Sequence, residues 1–108
     1  RIAAVVTYGK FIAQAPVCIV VVCRETDHWV EDGGAATQNM LVAACGLGLG
    51  TCWVNGRNPA YSGKVLELIG APGDLKLFSL IAMGYPAETP TRPKRSLEEV
   101  LHWEKYEK

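Results

Sequence analysis

From Gly33 to Gly56 the chain carries no charged side chain, a run of 24 residues around which the remaining pattern is arranged. Glu31 and Asp32 precede it, placed where negative charge favours a helix N-terminus. Small or apolar residues at 36, 40, 43, 44 and 47 recur at helical spacing and predict a helix that starts at Asp32 and runs to about Leu47. The opposite positions 35, 39, 42 and 46 are Ala, Asn, Val and Gly, so no face is built for water. A helix that is bland all round belongs inside a core or against another chain. Gly46 or Gly48 supplies the left-handed residue that ends it. Thr51, Cys52, Trp53 and Val54 then read as a buried strand, closed by a turn at Asn55-Gly56.

Before this stretch, apolar residues or glycine at 2, 5, 6, 9 and 12 predict a helix over 2–13, and Pro16 marks its exit. Residues 17–23 are an uninterrupted, mostly β-branched apolar run, expected to be a central strand covered on both faces. Residues 24–30 read as a loop. After the turn, Asn58-Pro59 is expected to open a short helix with Val65, Leu66 and Ile69 inward, ended by Gly70. Residues 71–74 have turn chemistry, 76–83 form a strand, and Gly84-Tyr85-Pro86 closes it. Pro90 and Pro93 make 87–94 an extended arm. Ser96 and Glu99 have capping-box spacing at the start of a final amphipathic segment that includes Trp103 and Tyr106.

Composition narrows the class. With 108 residues the chain forms one small domain, and 49% hydrophobic residues are more than so small a body buries alone, so other polypeptide is expected to complete its core. Formal net charge is zero, which gives no electrostatic reason to expect nucleic acid or a membrane surface as partner. No apolar run approaches the roughly 18 residues of a membrane span. The four cysteines include no Cys-x-x-Cys pair, and His28 and His102 each lack a neighbouring ligand pair. They read as small buried hydrophobes in a reducing, cytoplasmic setting, without metal.

Several short motifs occur in a fixed order: Ala15-Pro16-Val17 leading a strand, Glu31-Asp32 opening a Gly/Ala-rich helix with Asn39, and the run from Gly46 to Trp53. Ile81-Ala82-Met83-Gly84-Tyr85-Pro86 follows, and then a basic arm before Leu97-Glu98-Glu99-Val100. Together they resemble the FMN-dependent nitroreductase family over nearly the whole chain. The resemblance implies an α+β fold: a mixed or antiparallel sheet flanked by helices, with a long buried helix at a dimer interface. It implies an obligate homodimer through the 32–47 helix, with FMN at the subunit interface and NAD(P)H as co-substrate. Hydride would pass through the flavin to a nitroaromatic, a quinone or a similar small acceptor.

The resemblance also places site residues. Asn55-Gly56 matches the position where backbone N–H groups approach the flavin N5, and glycine there has no Cβ to obstruct a ring. Cys52 and Trp53 are placed to line the ring's edge, although Trp53 also suits a core. Arg92 and Lys94 match a pair of spaced cations that grip the phosphate, with Arg95 as the alternative; a solvated charged arm is the plain reading of the same residues. No catalytic acid, base or nucleophile stands out, as expected where the cofactor carries the chemistry.

Two other readings share these residues: the same fold with flavin-dependent dehalogenation or flavin breakdown, and a non-catalytic dimerisation domain. The Arg-Arg-Ser-type flavin motif that opens this family is absent. The chain is therefore expected to be the C-terminal part of a subunit of roughly 170–200 residues, with a core over 1–86 and an arm over 87–108.

Overall fold

Residues 77–82 form an unbroken buried run, and the strand that contains them, β3 (Leu75–Gly84), is the middle of a three-stranded antiparallel sheet. A strand paired on both edges and covered on both faces needs apolar or small residues at successive positions, not alternate ones. The computed structural model describes residues 1–107. Within them β1 (Val17–Arg24) pairs with one edge of β3 and β2 (Gly50–Asn55) with the other, in the order β1-β3-β2. This corrects the expectation for 17–23, which lies at an edge of the described sheet and is half-buried. Both runs have the composition of a covered strand, and only long-range pairing decides which is in the middle.

One face of the sheet is covered by α1 (Ile2–Val5), a 3₁₀ turn (Lys10–Gln14) and α3 (Ser62–Ile69). Val6, Ile12, Tyr61 and Val65 meet Val54, Leu77, Leu80 and Ala82 there to form the core. Leu80 and Val65 are fully buried, and each such side chain contributes about 1.5–3 kcal/mol of hydrophobic stabilisation. The single helix expected over 2–13 is instead two short pieces folded over Gly9. A Cβ on Gly9 would fall 2.7 Å from Val6 Cγ1 and 2.8 Å from Ile12 Cδ1, so the glycine lets both side chains reach the core together. The helix expected from Asn58-Pro59 starts at Ser62, because Asn58 makes a side-chain turn first; Gly70 ends it in the left-handed region (φ 66°) as expected.

The other face carries the long helix α2 (Trp29–Gly46), which precedes β2. It begins two residues before Glu31, inside the segment expected to be loop, so both acids fall in its first turn. Left-handed Gly48 (φ 77°) follows its C-terminus. Its contact with the sheet is narrow. A Cβ on Gly33 would lie 2.4 Å from Phe78 Cγ, so this helix rests directly on the Phe78 ring. Thr37 and Ala44 continue the buried line, while Ala36, Asn39, Val42, Ala43 and Leu47 are exposed in the single chain. Within this chain the helix is buried along one stripe only, so of the two expected settings, a core or another chain, its own core covers just that stripe.

A β-bulge lies beneath that stripe. Val21 pairs with Ser79 and Val22 with Leu77, which leaves Phe78 as the extra residue. The bulge lets Phe78 and Ser79 both serve the long helix: Phe78 lies under Gly33, and Ser79 hydrogen-bonds Thr37 at 2.8 Å. Beyond β3 every residue from Tyr85 to Leu101 is exposed, and a four-residue helix, Leu97–Val100, interrupts the tail. Ser96 and Glu99 meet side chain to side chain at 3.2 Å and do not form the reciprocal capping box. No helix among the described residues is long and apolar enough to cross a membrane.

Candidate functional site

The outer edge of β2 is the part of the sheet best equipped to hold a flat ligand. Gly56 N–H donates to Phe78 O at 3.0 Å, which makes 56 and 78 a hydrogen-bonded antiparallel pair. By the alternation of such ladders, the N–H and C=O of Asn55, Trp53 and Thr51 point away from β3. β2 is an edge strand among the described residues, so those groups face no other strand. A cleft of about 340 Å³ runs along them, lined by Tyr8, Phe11, Cys52, Trp53, Asn55 and Tyr61 among others. That volume and its largely aromatic wall lie in the range of small-molecule sites, roughly 300–1,000 Å³.

The Asn55 end of the cleft is the most ordered. Asn55 Oδ1 accepts the Arg57 N–H at 3.0 Å, and Asn58 Oδ1 accepts the Ala60 N–H at 2.9 Å, so two asparagine turns follow one another. Tyr61 donates its hydroxyl to the Asn55 carbonyl. Burial, and to a lesser extent the nearby Tyr8, pushes the Tyr61 phenol above its ordinary range, which keeps it protonated and donating. On the long-helix side, Phe78 joins two tryptophans, with ring centroids 5.9 Å from Trp53 and 6.2 Å from Trp29. The Arg57 guanidinium lies over the Trp29 ring at 5.3 Å.

Of the residues singled out in the sequence, Cys52, Trp53 and Asn55 come together in this cleft. Gly56 does not line it. A Cβ there would fall 2.7 Å from Leu77 Cγ and from the Phe78 carbonyl carbon, so the glycine is required by packing against β3. Its N–H is also committed to Phe78, which leaves Asn55 as the residue that presents a backbone donor. Arg92, Lys94 and Arg95 lie exposed on the arm and line none of the clefts described here. The arm nevertheless starts nearby: a neighbouring cleft of about 350 Å³ shares Phe11 and Cys52 with the first and includes Pro90, two residues before Arg92. Cys52 and Cys45 are exposed, against the expectation of buried thiols, while Cys18 and Cys23 are half-buried and all four are free. Tyr8, Phe11, Asn58 and Tyr61 were not legible as site residues; only the Asn-x-x-Asn spacing of 55 and 58 hinted at tandem turns.

The class of protein is thus α+β: a small antiparallel sheet with an aromatic cleft on its β2 edge and a long helix across one face. The sequence comparison makes this specific: residues 3–85 match the nitroreductase family, and the chain belongs to it. A Methanothermobacter thermautotrophicus protein named as an NADH dehydrogenase/NAD(P)H nitroreductase is 36% identical over 106 residues, covering 92% of this chain and 55% of that protein. Among solved structures, an FMN-dependent nitroreductase from Clostridium difficile superposes with a TM-score of 0.87 at 25% identity, covering 97% of this chain and 68% of the other. A Desulfovibrio desulfuricans nitroreductase in complex with FMN gives 0.77 at 30% identity, covering 98% and 64%. The chain therefore spans about half the length of the curated relatives it matches.

Proposed function

We propose that this chain carries part of the FMN site of an NAD(P)H-dependent oxidoreductase of nitroreductase type, acting on a small acceptor such as a nitroaromatic or a quinone. The observation that carries the reading is the outward-facing Asn55 N–H at the end of an aromatic cleft, in a chain of this family. The residues present fit the cofactor's ring: the cleft has suitable volume, aromatic walls and an unshared backbone donor on an open strand edge. When bound, FMN would supply two-electron hydride transfer between NAD(P)H and the acceptor. The chain's own residues would do the rest. Asn55 would offer its N–H to the ring's N5, and Cys52 and Trp53 would flank the ring. Gly56 would hold the turn against β3 so that Asn55 keeps its direction. Arg92 and Lys94, with Arg95 beside them, would neutralise the phosphate once the arm settles against a partner surface.

The reading includes a homodimer through the 32–47 helix. Support comes from the exposed, uncharged side of that helix, where Ala36, Asn39, Val42 and Ala43 offer close approach to another chain. It also includes a cytoplasmic setting, supported by four free cysteines. Finally, it divides the chain into a core over 1–86 and an arm over 87–108, supported by the exposure of 85–101; Lys108 lies outside the described residues.

The test is an FMN titration of the natural protein followed by its visible spectrum. Arg92→Ala with Lys94→Ala is expected to weaken FMN binding by roughly 2–4 kcal/mol, the scale of two lost charge-assisted bonds. Unchanged affinity in the double variant removes the phosphate assignment. A wild-type protein that takes up no flavin removes the whole reading and favours a non-catalytic dimerisation role.

A further inference from the structure

We infer that Tyr61 is a positioning residue, whose hydroxyl clamps the Asn55–Gly56 peptide so that the Asn55 N–H stays aimed into the cleft. The inference rests on the flavin reading of that cleft. The peptide is held from both sides. Toward β3, the Gly56 N–H donates to Phe78 O at 3.0 Å. Toward the outer edge, the Asn55 carbonyl accepts the Tyr61 hydroxyl. Rotating this peptide plane would break both bonds at once, so the end of β2 cannot fray or flip without losing two partners; the Asn55 N–H, in the preceding peptide, is held in direction through the Cα the two planes share.

Tyr61 is itself anchored. It is 2% exposed and belongs to the core cluster with Val6, Ile12 and Val65. The Asn58 carbonyl accepts the Tyr61 N–H at 3.2 Å and the Ser62 N–H at 2.9 Å, which joins the loop to the first turn of the helix at 62–69. The loop 55–62 is thus closed at both ends, and the phenol spans it. This arrangement has an electrostatic consequence. An uncovered Asn55 carbonyl would place negative partial charge beside the ring site, next to the N–H intended as donor. Occupied by Tyr61, the carbonyl is neutralised, and the N–H is the dominant backbone dipole that Asn55 presents. A fixed donor without a competing acceptor favours charge developing on the ligand's ring, because no reorganisation is needed at the moment of reaction.

Tyr61→Phe keeps the buried ring and removes only the hydroxyl, so it separates clamping from packing. Three quantities are measured on the natural protein: FMN affinity by fluorescence titration, the flavin midpoint potential, and amide hydrogen exchange at Gly56 in the FMN-free form. The expected result is about 3–10-fold weaker FMN binding, the equivalent of one net hydrogen bond. A more negative potential and faster Gly56 exchange should accompany it. Val65→Ala serves as the comparison, since it loosens the same core without touching the hydroxyl, and should leave the potential unchanged. Wild-type potential, affinity and exchange in Tyr61→Phe overturn the inference whatever its melting temperature. Failure of Tyr61→Phe to fold also overturns it, in favour of a purely structural tyrosine. If the wild-type protein binds no FMN, the flavin reading fails, and Gly56 exchange still decides whether the clamp exists.

Discussion

Replacing Thr37 by valine removes one oxygen and leaves the side chain's shape nearly unchanged, which makes it a clean probe of how the long helix is fixed to the sheet. Thr37 and Ser79 are both fully buried. Thr37 Oγ1 donates to Gly33 O at 2.7 Å, so its single proton is used there. The 2.8 Å contact with Ser79 Oγ must then have Ser79 as donor and Thr37 as acceptor. The two single deletions are therefore unequal. Thr37→Val strands the fully buried Ser79 O–H, at a cost of about 1–3 kcal/mol. Ser79→Ala leaves Thr37 bonded to Gly33 and removes one ordinary bond, about 0.5–1.5 kcal/mol. Removing both oxygens together should cost less than the sum, because no orphaned donor remains. The assay is urea unfolding of the three variants at fixed protein and FMN concentration, comparing midpoints at a common slope. A Ser79→Ala cost larger than that of Thr37→Val, or strict additivity in the double variant, would refute the proton assignment and the claim that this pair acts as a unit.

Three further outcomes are expected. Gly33→Ala places a methyl 2.4 Å from Phe78 Cγ and should destabilise by about 1–3 kcal/mol through overpacking, whereas Gly34→Ala, whose methyl would lie 3.8 Å from Phe78 Cζ, should be tolerated; equal thermal melts for the two dispose of the close-contact argument. Ala36→Arg and Ala43→Glu, on the exposed side of the long helix, should abolish dimer formation by placing unpaired charge in the proposed interface, and sedimentation of an intact dimer carrying both changes speaks for a solvent-facing helix. Burial raises the Cys18 thiol and the Tyr61 phenol above their ordinary values of 9.0 and 10.0, so the folded chain holds those protons longer than the unfolded chain. Their stabilising contribution is complete below those values and is lost as pH rises past them, so melting temperature should fall in alkaline buffer; a rise across that window contradicts the sign.

Much of the local structure was legible in the sequence. Helical spacing located the long helix, the β-branched run located β1, and Gly70 and Gly48 marked real left-handed positions. These features depend on each residue and its near neighbours, through backbone preference and the period of the apolar pattern. Cys52 and Trp53 were legible as strand residues and Asn55 as the start of the turn that closes it; the strand in fact runs through Asn55, and the three line one cleft.

What the tertiary structure alone decided is which surfaces meet. Nothing in 17–23 or 77–82 says that the second takes the centre and the first an edge, because strand order depends on pairing between distant segments. The glycines make the same point. Gly33 and Gly56 leave no room for a Cβ because of Phe78 and Leu77, residues far along the chain. Tyr61, unremarkable in the sequence, acquires its place only when the loop after β2 folds back and brings its hydroxyl to Asn55. The sequence by itself determined most of the elements and the family pattern they follow. Close packing between segments remote in the chain determined where the cleft lies and which backbone donor faces it, since steric fit and hydrogen-bond pairing exist only once those segments are in contact.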